Sequence, residues 1–169
     1  MTDSAHAADG QAALHLQELA YFLGVHLNRA PGILWSEHDH PALGGAAGPQ
    51  ELDAFARALA LLTGLPVRTR PGRRPTGAPA HGTTEHGTTA GHLLVHQTAG
   101  AGSWYLKRTP RASVPEDGSK FTESLRFRLR TGDVLYVPAY WGWEADLTPE
   151  AELVVSVLGG PPGEAAGTP

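Results

Sequence analysis

TGDVLYVPAYWGWEAD, residues 131 to 146, is the stretch on which the fold turns. Thr131-Gly132-Asp133 reads as a tight turn, with the Asp133 carboxylate capping turn backbone rather than serving as a base. Val134 to Val137 is uniformly apolar and reads as a buried strand. Pro138 ends it, because proline donates no backbone hydrogen bond and fixes its own φ. Tyr136, Tyr140, Trp141 and Trp143 gather around that proline. Such an aromatic group either packs the end of a barrel or lines a binding pocket.

Working outward, residues 121 to 130, FTESLRFRLR, alternate cleanly. Phe121, Leu125, Phe127 and Leu129 share one face of a strand, and Ser124, Arg126, Arg128 and Arg130 the other. The arginine stripe reads as a solvated outer face that blunts a sheet edge, or as a contact for an acidic partner. Leu93–Gln97 and Trp104–Leu106 flank a Gly-rich turn and predict a hairpin, and Leu153–Leu158 predicts a last strand. Nearer the N-terminus, Leu16, Leu19, Leu23 and Leu27 form a helical stripe that Asn28 and Pro31 end. Pro31–Trp35 reads as a short strand. A second helix fits Pro49–Thr63, with proline in its first turn and Gly64 as C-cap. His38-Asp39-His40, a metal-like spacing, reads as part of a surface loop. Residues 68 to 91 hold little that could be buried and predict a flexible loop. The expected organisation is a disordered N-terminus over 1–10, one domain over 11–158 and a disordered tail over 159–169.

Composition narrows the function. A chain of 169 residues suits one domain. A net charge of −4 argues against a broad nucleic-acid-binding face. The lack of cysteine excludes disulfides, thiolate metal sites and a cysteine nucleophile. No leader-like segment or membrane-length apolar run occurs, so the expectation is a soluble cytoplasmic protein without membrane association. Phosphate-loop, nucleophile-elbow and zinc-finger spacings are absent.

Several segments in order resemble one family, the JmjC-like cupins of the ribosomal-oxygenase type, which hydroxylate proteins. They are HLNRAPGILW, PQELDAFARAL, LLVHQTAGAGSWYL and LRTGDVLYVPAYWGWEA, and together the resemblance spans Leu16 to Val157. It implies a mainly β fold with flanking helices: a double-stranded β-helix, or cupin jelly-roll barrel, with two N-terminal α-helices. It also implies iron(II) held by His-x-Asp (or Glu) and a distant His, with 2-oxoglutarate as co-substrate. Alternate residues of a strand lie about 6.6 Å apart on one face, so both can reach one ion. A third ligand from a neighbouring strand completes a facial triad with open positions.

The resemblance places those ligands on Gly87, Thr88 and Thr89, and on Trp143. A basic residue that grips 2-oxoglutarate in some members falls on Gly102. The expectation is therefore a divergent JmjC-like cupin without the standard iron chemistry and with no cofactor, its catalytic residues unassigned, acting as a binding or accessory module. Its pocket would be lined by Gln97, Trp104, Tyr136, Tyr140, Trp141 and Trp143. One alternative is an iron(II)/2-oxoglutarate hydroxylase whose ligands have moved within the His81–His96 segment and beyond, to His86, His96 and Glu144. Another is a small-molecule-binding cupin with an aromatic pocket. The partner would be an unidentified protein or small molecule, and exposed strand edges are compatible with a homodimer.

Overall fold

A computed structural model describes residues 3–44, 47–72, 83–88, 90–108 and 124–160. Helix α1 (Asp3–His26) leads into strand β1 (Gly32–Trp35), a 3-10 turn (Pro41–Leu43) and helix α2 (Pro49–Thr63). Eight strands follow: β2 (Val67–Pro71), β3 (Thr83–Thr88), β4 (His92–Ala99), β5 (Ala101–Arg108), β6 (Ser124–Arg130), β7 (Asp133–Val137), β8 (Trp141–Leu147) and β9 (Glu152–Leu158).

The strands form two antiparallel sheets, in the orders β1-β7-β4-β9-β2 and β3-β8-β5-β6. Period-two alternation divides each central strand of the first sheet between two cores. Leu93 and Val95 of β4, Leu135 and Val137 of β7, and Leu153 of β9 face the second sheet. There they meet Trp104, Leu106, Leu129, Ala145 and Leu147. The intervening residues Leu94, Val134, Tyr136 and Leu158 face outward and pack beneath Leu19, Phe22 and Leu23 of α1 and Phe55 and Leu59 of α2. The result is a mainly β jelly-roll barrel with two helices laid on one outer face.

α2 runs over the expected residues. Pro49 stands in its first turn, Glu51 Oε2 accepts from the Gly48 N–H at 3.0 Å, and Gly64 closes it at φ 68°. In the turn before β7, Asp133 Oδ2 accepts the Arg130 N–H at 2.7 Å, as expected of a capping carboxylate.

Two expectations are corrected. α1 begins at Asp3, so most of the segment expected to be disordered over 1–10 is helical. The loop expected over 68–91 contains most of β2 and all of β3. Those strands pair along their whole length with β9 and β8. Their stability rests on backbone hydrogen bonds, which composition does not register. His81, Thr89, Phe121 and the residues 161–169 of the expected tail lie outside the described residues.

Candidate functional site

The barrel end where the ligand positions were expected is built by β3 and β8. Gly87 and Trp143 are direct cross-strand partners. The indole lies over the glycine so closely that a Cβ on residue 87 would meet Trp143 Cζ2 at 3.0 Å. Trp143 also leans on Trp104, with ring centroids 5.4 Å apart. Both indoles belong to the barrel interior.

A divalent ion fits poorly here. Glycine offers no donor atom, and an indole N–H donates a hydrogen bond but has no lone pair for a metal. Thr88 is exposed and pairs with Gly142, one position out of phase with Trp143 on the strand. A side chain at Gly102 would have to displace its neighbours before it could hold a co-substrate carboxylate. A Cβ there would meet Leu147 Cδ2 at 2.7 Å and Trp104 Nε1 at 3.2 Å. Gln97 Oε1 and Trp104 Nε1, both near Gly102, are buried without a hydrogen-bond partner among the described residues.

The relocated set is not brought together. His86 and Glu144 are cross-strand partners, both exposed, on the outer face of the second sheet. His96 lies in the other sheet and faces the helices, beside Phe55. Of the six pocket residues, Gln97, Trp104, Trp141 and Trp143 are in or against the barrel interior. Tyr136 and Tyr140 are not, which corrects their placement. Tyr136 shares the parity of Val134 and faces the helices. Its hydroxyl donates to His92 Nδ1 at 2.8 Å and accepts from the Asn28 N–H at 3.0 Å. The Ala139 N–H also donates to His92 Nδ1. Burial lowers the His92 pKa and raises that of Tyr136. Tyr140 sits in the turn after Pro138 at φ 64°, 61% exposed.

A second polar centre lies on the other side of the first sheet, under α1. A cavity of about 490 Å³ is lined by His15, His38, Asp39, His40, His96 and Asp133, among others. His40, expected on a surface loop, is half-buried against Phe55, with ring centroids 4.7 Å apart. Its Nδ1 accepts the Ala42 N–H at the start of the 3-10 turn. His38 Nδ1 lies 2.7 Å from Glu18 Oε1. Desolvation lowers the pKa of His15, lowers His40 to about 4 and lowers His96 well below its ordinary value, helped in each by neighbouring histidines. His15 had gone unremarked in the sequence. The signal was its position four residues before Leu19, which puts a polar ring on the apolar stripe of α1.

The two antiparallel sheets and their order make this a cupin-type jelly-roll fold. The structure of YcfD, a ribosomal oxygenase from Escherichia coli, in complex with cobalt and succinic acid matches with a TM-score of 0.55 and 14% identity, over 86% of this chain and 52% of that one. The YcfD complex with cobalt and 2-oxoglutarate matches with a TM-score of 0.54 and 14% identity, over 86% and 52%. This chain thus spans about half the length of the solved structures it resembles. At this identity the likeness establishes the fold alone. No protein-family model and no curated protein matches the sequence.

Proposed function

We propose that this chain is a divergent JmjC-like cupin that does not carry out iron(II)/2-oxoglutarate chemistry and serves as a binding or accessory module for a protein or small-molecule partner. The observation that carries the reading is the Gly87–Trp143 pair. The two strand positions that the resemblance assigns to imidazole ligands stand directly opposite one another, and a single indole fills the space between them. The crowded position at Gly102 supports it from the co-substrate side. Two changes, one removing a side chain and one adding the largest, compensate in volume, as a repacked core requires.

The test is an anaerobic iron(II) titration of the purified chain with 2-oxoglutarate, followed by admission of oxygen and detection of succinate. The expected result is no succinate beyond a protein-free control. Succinate formation that requires iron, 2-oxoglutarate and the chain would overturn the reading. As a companion, the triple variant Gly87→His, Thr89→Asp and Trp143→His is expected to bind iron more tightly than the parent chain.

A further inference from the structure

His96 is a costly residue where it stands. It is 2% exposed on the helix-facing side of β4, edge-on to Phe55 at 5.4 Å, and among the described residues neither of its ring nitrogens has a hydrogen-bond partner. His15, also 2% exposed, approaches it with ring centroids 5.9 Å apart and leaves its own Nε2 unpartnered. Burying such a group without a partner forfeits its hydration with nothing in return. A leucine at either position would avoid that cost, so the pair is better explained by something it binds than by packing.

Hydrogen bonding assigns the tautomers. His15 Nδ1 lies 2.8 Å from the His38 carbonyl oxygen and 2.8 Å from Ser36 Oγ. A carbonyl only accepts, so Nδ1 carries the proton and Nε2 keeps a bare lone pair. Ser36 Oγ in turn donates to Glu18 Oε2 at 2.6 Å. A histidine held through one nitrogen by a carbonyl and a carboxylate-backed hydroxyl, with the other nitrogen free, is the arrangement found around protein-bound metals. His40 has the opposite tautomer. Its Nδ1 accepts from Ala42, so Nε2 carries the proton and acts as a donor.

The ligand class follows from the donor set. His15 Nε2 keeps its lone pair, and both ring nitrogens of His96 are unpartnered among the described residues. Among the described residues no lysine or arginine lines the cavity to offer an anion a countercharge, whereas Asp39 and Asp133 do line it. Neutral imidazole lone pairs beside carboxylates suit a borderline divalent transition metal.

We propose that His15 Nε2 and a ring nitrogen of His96 bind a divalent transition-metal ion of the zinc class in this cavity, with His40 Nε2–H donating to an oxygen ligand on its open side. Two imidazoles sharing one zinc ion at about 2.1 Å per bond place their centroids roughly 5–6 Å apart, and the observed 5.9 Å falls in that interval. No three His, Asp or Glu side chains among the described residues form a complete cage. The remaining positions are thus left to water or an incoming ligand. This site lies across the first sheet from the barrel interior and uses neither His86 nor Glu144.

Cobalt(II) is the spectroscopic probe and zinc(II) the calorimetric one, each added to untagged, metal-stripped full-length chain. The expected result is one ion per chain, with affinity reduced more than ~10-fold in His96→Leu and in His15→Leu, and about 10-fold in Ser36→Ala, which removes a support of His15 Nδ1 without touching either proposed ligand ring. His86→Ala is expected to bind as the parent does. Absence of stoichiometric binding, or binding retained in both leucine variants, would overturn the proposal. Should His96→Leu fail to fold by circular dichroism, His15→Leu and the zinc-dependent rise in Tm of the parent decide the matter. Metal bound here without succinate leaves the barrel reading intact, and succinate that persists in His15→Leu overturns that reading alone.

Discussion

Trp143 and Gly87 act as one packing unit, and the glycine is as necessary as the indole. Gly87→Ala puts a methyl group 3.0 Å from the ring, and overpacking of this kind costs about 1–3 kcal/mol. A lower urea midpoint with altered tryptophan emission is the expected outcome. At the His15–His40–His96 centre the pKa values are depressed, chiefly by desolvation. Glu18 and Asp39 oppose the shift at His15, while His38 adds to it. In acid the unfolded chain takes up protons that the folded one refuses. The contribution of these groups is therefore fully retained above their ordinary value of 6.5 and lost as pH falls below it, towards about 4 for His40. Without metal, the urea midpoint should fall between neutral pH and about pH 5, and His96→Leu should flatten that dependence and raise the midpoint. A steeper acid loss in His96→Leu would contradict this account. The absence of imidazole and carboxylate at the expected ligand positions was readable in the sequence. The His15–His96 pairing was not, because 81 positions of chain separate the two rings and only the docking of α1 on β4 brings them together.

Among the elements, α2 ties the helical layer to the barrel. Phe55 and Leu59 are fully buried against the outward residues of β4 and β7, and Phe55 also supports His40 and His96. Phe55→Ala is expected to cost about 3–5 kcal/mol and, by loosening both rings, to weaken cobalt binding as well. Unchanged cobalt affinity in a folded Phe55→Ala protein would show that the rings hold their positions without it. α2 was legible because its stripe, first-turn proline and C-terminal glycine agree. β2 and β3 were hidden because they carry few apolar side chains. Strand β6 was legible by its alternation, and its arginines do lie on the exposed face of an edge strand, with Arg126 5.2 Å from the Tyr105 ring centre. Arg128→Ala should shift stability by no more than about 0.5 kcal/mol.

For the molecule as a whole, β4, β7 and β9 each supply alternate residues to both cores. Neither layer can lose its packing without exposing the other face of the same strands. Helix loss at 222 nm and the change in tryptophan emission from the barrel should therefore coincide in one urea transition. Two separated transitions would mean that the helices undock first. No helix among the described residues is long and apolar enough to cross a membrane.

Local patterning was enough to predict the barrel fold, both helices, the turn at Asp133 and the presence of glycine and tryptophan at positions 87 and 143. All of these depend on neighbours within a few positions, where periodicity and turn chemistry operate. Three features emerged from long-range pairing: the register that sets Trp143 over Gly87, the outward turn of Tyr136 towards the helices, and the joining of His15 to His96. Cross-strand register and helix docking depend on packing across the fold, and one sequence read alone does not carry that information.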